Sequence, residues 1–195
     1  MNTMTTMLKK FSEWLQGQEA PDRKFHAKSV TLGGRVYQLN RMELRDVGVA
    51  LEMERAIYGD TPWDRYAFLS ELQKRRTSLY LACFDERQEN LLGIIGGYFR
   101  GDRAHVTILL IDPQYQRQGL GRMLMQEMIE IARQQGRQRM TLEVAVDNVP
   151  ALHLYHELGF KEGHIRRNYY TNEHKDAMDM ELSLVDVGAG RDTNE

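Results

Sequence analysis

Three stretches of the chain carry residue types whose spacing suits chemistry. The first is Ile111-Asp112-Pro113-Gln114-Tyr115-Gln116-Arg117-Gln118-Gly119-Leu120-Gly121-Arg122. A strand-like segment ends here, Asp-Pro turns the chain, and a glycine-bearing loop leads straight into a long helical pattern. Free N–H groups at a helix start, with the helix dipole, attract phosphate. Glycine lets the backbone approach the anion closely, and Arg117 and Arg122 add positive charge. A lone G-x-G is a weak signal, since a turn and helix start explain it equally well. The segment lacks the Lys-Ser/Thr of a nucleoside-triphosphate loop. Nor does it open the chain, as a dinucleotide fingerprint usually does. A phosphate-bearing ligand of another kind is implied.

The second stretch is Thr141-Leu142-Glu143-Val144-Ala145. A carboxylate in an apolar strand is costly unless it is partnered or functional. Burial would raise its pKa, which suits a general base. The plain alternative is an ion-paired edge-strand glutamate. The third stretch runs from Asn148 to Phe160. Ala151, Leu154, Tyr155 and Leu158 share an inward helix face, so periodicity alone makes Tyr155 a core aromatic and Asn148 an N-cap. His153 and His156 have the spacing of a metal pair but fall beside Glu157 on the polar face. They read as solvated surface, and no metal site is expected.

The elements that position these residues follow from periodicity and breakers. Met4, Met7, Leu8, Phe11, Trp14 and Leu15 make one apolar helical arc. Such a short helix is marginal alone and must dock on its own domain, on a twin subunit or on another surface. A homodimer through this extension is one expectation. A polar link, Gly17 to Lys24, follows. Residues 28–42 read as two strands around Gly33-Gly34. Helices are expected over Leu44–Ile57 and Asp64–Arg75, and strands over Ser78–Phe84, Leu91–Phe99 and Ala104–Ile111. The helix over Gly119–Gln135 has one apolar half, with Met123 as the exception, and Gly136 suits a left-handed C-cap. A strand over Arg139–Val146, a helix over Val149–Leu158 and strands over Phe160–Tyr169 and Asp176–Leu184 close the pattern. The strand-helix-strand unit in the middle implies a right-handed crossover between parallel strands. The fold class is mixed α/β (α+β). Residues 1–35 read as an extension with a helix and an extra strand, 36–184 as the domain, and 185–195 as a disordered tail.

Composition bounds the function. The 195 residues are 42% hydrophobic and 28% charged, as in a globular chain. Lys plus Arg is 26 against 28 for Asp plus Glu, a net charge of −2. That argues against a strongly basic nucleic-acid binder. A single cysteine, Cys83, excludes an internal disulfide framework. No apolar run reaches the ~20 residues of a membrane span. The N-terminus lacks the apolar core of a signal peptide, so the cytoplasm is the expected compartment and no membrane partner is expected.

Gln116-Arg117-Gln118-Gly119-Leu120-Gly121 resembles the acetyl-CoA signature of the GNAT superfamily of N-acetyltransferases, and Asn148 to Phe160 resembles that family's N-x-x-A-x-x-L-Y-x-x-x-G-F segment. The order and spacing of the two, with a strand between, make the match specific. Asp112 to Arg122, Leu142-Glu143-Val144, Ile165-Arg166-Arg167-Asn168-Tyr169-Tyr170 and Pro62-Trp63 resemble the bacterial ribosomal-protein-alanine N-acetyltransferases. The resemblance spans about Val36 to Leu184. It implies a mostly antiparallel central sheet with a splayed parallel strand pair and flanking helices, and acetyl-CoA as cosubstrate.

By the same resemblance, Glu143 matches the general base and Tyr155 the general acid. Leu109, Leu110 and Ile111 match the strand that bonds the pantetheine arm. Arg117, Gln118, Gly119, Leu120, Gly121 and Arg122 match the pyrophosphate loop, and Asn148 a cofactor contact. Pro62, Trp63, Tyr169 and Tyr170 are candidates for the acceptor groove. Arg166-Arg167 would grip a CoA phosphate or an acidic peptide, or form a plain charged strand end. Ile108, Thr61 and Thr171 depart from the group's pattern. The acceptor implied is a protein N-terminus of the ribosomal-protein alanine type; a small amine, another protein, or a non-catalytic acyl-CoA-binding role are the alternatives.

Overall fold

The computed structural model describes residues 25–59, 63–171 and 174–185. The amphipathic segment at Met4–Leu15, the link to Lys24, Thr61, Pro62 and the tail from Asp186 lie outside the described residues. The elements, in chain order, are β1 (Lys28–Leu32), β2 (Arg35–Arg41), α1 (Val47–Tyr58), α2 (Arg65–Gln73), β3 (Ser78–Asp85), β4 (Leu91–Arg100) and β5 (Arg103–Ile111). They continue as α3 (Leu120–Gln134), β6 (Arg139–Ala145), α4 (Val149–Glu157), β7 (Lys161–Tyr170) and β8 (Lys175–Ser183).

The strands form one sheet in the order β1-β2-β3-β4-β5-β6-β8-β7. Every neighbouring pair is antiparallel except β5 and β6, which α3 connects. This is the expected mixed, mostly antiparallel sheet with one parallel pair. Helices cover both faces. Leu79, Leu81 and Cys83 of β3 pack with Leu124, Met125 and Met128 of α3 and Tyr155 of α4. The alternate residues Tyr80 and Ala82 pack with Val47, Ala50 and Met53 of α1 and Phe68 of α2. The two-residue period of a strand divides its side chains between two cores in this way. Central β4 is buried along nearly its whole length, and its apolar run LLGIIGGYF reflects burial on both faces.

Breakers end the elements where expected. Gly33, Gly34, Gly59 and Gly136 all take positive φ. Two details differ from the expectation. The helix expected from Leu44 opens as a 3-10 turn, Leu44–Asp46, because Glu43 and Asp46 form a reciprocal capping box, with Glu43 N–H donating to Asp46 Oδ2 at 2.7 Å. Met123, the apparent exception on α3, is buried, because the buried stripe of that helix is wider than half a turn.

One irregularity governs the site. The β4–β5 register shifts between Gly96 and Gly97, so that Val106 and Ile108 pair with adjacent residues and Thr107 is extra. Thr107 is a β-bulge. Upstream, Ala104 and Val106 face the α3 core; downstream, Ile108 and Leu110 face the α1 core. Tyr80 holds the bulge, its hydroxyl 2.9 Å from Thr107 Oγ1 and its ring lying over Gly96, where a Cβ would overlap it.

Candidate active site

The parallel strands part company early. β5 and β6 pair only over Arg103, Ala104 and His105 against Arg139, Met140 and Thr141. Beyond that point β5 follows β4, through Leu110↔Ile94 and Ile111↔Gly93, and β6 follows β8, through Glu143↔Asp179. A V-shaped gap opens past His105↔Thr141, the last pair. Leu109, Leu110 and Ile111 form one wall and Glu143 to Ala145 the other. The expected splay is present.

The loop at the head of α3 is built by its turn residues. Asp112 Oδ1 accepts from Gln114 N–H at 2.8 Å, and Gln116 Nε2 donates to the Ile111 carbonyl at 3.1 Å. Arg117 and Gly119 take φ of 61° and 89°. The first helical bond runs from Met123 N–H to the Gly119 carbonyl at 3.0 Å. The N–H groups of Leu120, Gly121 and Arg122 precede it and have no acceptor within the helix, which leaves them for an anion. Leu120 itself points into the core. The Arg122 guanidinium is paired with Glu157 on α4. Arg35 was missed by the sequence reading. The β1–β2 hairpin carries it to the loop, where Nη1 donates to Gln118 Oε1 at 3.2 Å. A residue 83 positions away leaves no local signal of this contact.

Glu143 lies in a charged cluster on the opposite wall. His105 Nε2 stands 3.2 Å from Oε2, Arg166 Nη2 is 3.3 Å from Oε1, and the Tyr169 hydroxyl donates to Oε2 at 3.5 Å. Burial pushes the carboxyl up, but the His105 bond, the charges of His105 and Arg166 and the Tyr169 bond together outweigh it and hold the group below its ordinary value. The expectation that burial would raise this carboxyl is therefore corrected. Arg166 bridges Glu143 and Asp179, the latter at 2.6 Å, while Arg167 pairs with Asp176. His105 was not singled out by sequence. A histidine in the apolar run of β5 was the available signal.

Tyr155 is buried, its ring 5.8 Å from that of Phe160. Burial, with Tyr58 and Tyr170 nearby, pushes its phenol above the ordinary range. Asn148 caps α4, its Oδ1 accepting from Ala151 N–H at 3.2 Å. Trp63 belongs to the second core, with ring centroids 5.2 Å from Phe68 and 6.0 Å from Tyr80, and its backbone N–H donates to Oε2 of buried Glu54 at 3.3 Å. Tyr169 and Tyr170 meet edge-on at 5.1 Å, which places Tyr169 beside Glu143. His153 and His156 sit on the surface beside Glu157 and Glu162. Cys83 is buried away from both walls.

The Acetyltransferase (GNAT) family model matches residues 38–160. The chain belongs to the GNAT acetyltransferase family. As a GNAT enzyme it is an acetyl-CoA-dependent N-acetyltransferase. It is similar to the ribosomal protein bS18-alanine N-acetyltransferase of Escherichia coli K12, 33% identical over 154 residues, 75% of this chain and 97% of that protein. The crystal structure of the ribosomal-protein-S18-alanine N-acetyltransferase from Escherichia coli superposes with a TM-score of 0.69 at 30% identity, covering 82% of this chain and 99% of that one. The PaiA N-acetyltransferase from Thermoplasma acidophilum, solved in complex with coenzyme A, shares the fold, with a TM-score of 0.62 at 18% identity over 75% of this chain and 98% of that one. Among the described residues no helix of this GNAT chain is long and apolar enough to cross a membrane.

Proposed function

We propose that this GNAT enzyme acetylates the N-terminal α-amino group of a protein, of the ribosomal-protein alanine type. The observation that carries the reading is Glu143, a carboxylate on the wall of the splayed cleft opposite the Leu109–Ile111 strand. The acceptor class is supported by the bS18-alanine activity named for the Escherichia coli relative.

In this reading the N–H groups at the head of α3 and Arg117 hold the pyrophosphate, and β5 holds the pantetheine arm. An α-ammonium has a pKa of ~7.7–8.0, so part of it is free amine at neutral pH. Glu143, directly or through a water, takes the proton. The amine nitrogen attacks the thioester carbonyl, and a backbone N–H near Leu110 or Ile111 stabilises the oxyanion. The carbon–sulfur bond then breaks, and Tyr155 gives its proton to the thiolate. The raised phenol stays fully protonated at neutral pH, ready to donate. It also makes the transfer more uphill than an ordinary phenol would. No covalent enzyme intermediate is needed. Trp63, Tyr169 and Tyr170 line the acceptor side, and Asn148 touches the cofactor as well as capping α4.

Incubation with acetyl-CoA and an Ala-starting peptide, against polyamines, tests the acceptor by mass spectrometry. An acetylated peptide is expected; turnover of polyamines alone moves the enzyme to the small-amine class. Coenzyme A binding without any turnover would make it a binding module. The amphipathic segment is assigned a role in pairing two copies. Deleting residues 1–20 should then halve the solution mass, and an unchanged mass removes the idea.

A further inference from the structure

His105 takes no part in the chemistry described so far, yet it stands closer to Glu143 than Arg166 or Tyr169 does. Three contacts fix its ring. Nε2 faces Glu143 Oε2 at 3.2 Å, Nδ1 lies 2.8 Å from Thr141 Oγ1, and the Tyr98 ring lies 4.8 Å away between centroids. The imidazole is 10% exposed. His105↔Thr141 is also the last pair of the parallel ladder, so the ring sits at the vertex where the cleft opens. Thr141 and Glu143, two residues apart on β6, share one face and both reach it.

Arg166 does not hold Glu143 alone, since its guanidinium is shared with Asp179. What His105 adds is a second proton site. Its far nitrogen meets a hydroxyl, which both donates and accepts and therefore suits the neutral ring and the imidazolium alike. An arginine or a tyrosine in the same cluster offers no such exchange at neutral pH.

We propose that His105 is a positioning residue acting through Glu143: it fixes Oε2 and takes over the proton that the carboxylate removes from the acceptor ammonium. The proposal rests on the reading of Glu143 as base. The ammonium N–H bond breaks and its electron pair stays on nitrogen. The proton reaches Glu143 and passes to Nε2, leaving Glu143 a carboxylate and His105 an imidazolium whose Nδ1–H donates to Thr141 Oγ1. The amine attacks, the thiolate leaves with the proton of Tyr155, and water carries the His105 proton away to reset the site. A carboxylate held low is a poor resting place for a proton from a group near ~7.7–8.0, and an imidazole class near ~6.5 is closer in affinity. The groups facing the pair are Tyr98 from β4, Thr141 from β6, Arg166 and Tyr169 from β7, and Asp179 from β8 through Arg166.

Two measurements decide it. NMR of the His105 ring nitrogens in the free protein reads the contact without any substrate. Glu143→Gln should move the Nε2 resonance, which reports its hydrogen bond to the carboxylate; an unchanged Nε2 resonance overturns the proposal. Next, kcat/KM for an Ala-starting peptide is followed against pH in the wild type, His105→Gln and Thr141→Val. His105→Gln should lower kcat about tenfold or more, alter the acid limb, and leave the acetyl-CoA KM unchanged. A uniform drop with the limb intact means a structural prop and overturns the proposal. If His105→Gln does not fold, Thr141→Val decides: a shifted limb supports the relay and an unshifted one sinks it. A fully active Glu143→Gln overturns the base reading itself, whereas an inert Glu143→Gln beside a fully active His105→Gln removes the relay and leaves that reading standing.

Discussion

At Glu143 burial pulls one way and three partners pull the other. Because the partners win, the folded carboxyl binds its proton more weakly than the unfolded one, whose reference value is 4.5. The stability this contributes is present above that reference value and is lost as pH falls through the folded value. Thermal melts from neutral pH to below 4 should therefore show a falling midpoint for the wild type and a flatter curve for Glu143→Gln. In turnover, Glu143→Gln should lower kcat about 10²–10⁴-fold with the acetyl-CoA KM unchanged, as for a lost general base. Cys83 gives a third expectation: burial pushes its thiol up to about 12. Alkylation of the native protein at pH 8 should leave Cys83 unmodified, and denaturant should release it. Glu143 stands out in the sequence as a carboxylate in an apolar strand, whereas Tyr155 fits its helix pattern as a core aromatic and is singled out only by the family resemblance. Their partners were not legible. His105 meets Glu143 only because β5 and β6 pair in parallel from Arg103↔Arg139 onward, and Arg122 turns to Glu157 only because the fold brings the start of α3 to the end of α4.

At the scale of elements, the glycines of β4 are more informative than its hydrophobes. A Cβ at Gly97 would overlap the His105 carbonyl oxygen, which is backbone and cannot swing aside. Gly97→Ala should cost about 1–3 kcal/mol, the usual range for overpacking, and should disturb His105 with it. Gly96→Ala meets the Tyr80 ring and should loosen its bond to Thr107. Denaturant melts of both variants, with activity alongside, would check this. Element types and ends were legible because breakers such as Gly33-Gly34 and Gly136 declare themselves locally. The 3-10 start at Leu44 and the bulge at Thr107 were not. Each depends on a reciprocal bond or a partner strand, and hydrophobic periodicity is blind to a single extra residue.

Over the whole molecule, a net charge of −2 leaves the cofactor's phosphates to a local site. With Arg122 paired to Glu157, the phosphate site proposed above depends on backbone N–H groups and Arg117. Arg117→Ala should raise the acetyl-CoA KM about tenfold with kcat little changed, the scale of one hydrogen bond to a charged group. The hairpin of β1 and β2 braces the same loop, with Arg35 on Gln118 and Lys28 2.7 Å from Glu127 of α3. The two cores on either side of the sheet are joined by β5, and Thr107 decides which residues serve which. In the language of translation, that residue is an insertion that shifts the frame in which the strand is read by its surroundings. Ala104 and Val106 are read by one layer, Ile108 and Leu110 by the other. Deleting Thr107 would make Val106 and Ile108 adjacent, and adjacent residues of a regular strand face opposite layers, so each half would keep its reader while the ladder lost its bulge. The His105 half and the Leu109–Ile111 half can consequently be rewritten independently, each for the layer that reads it.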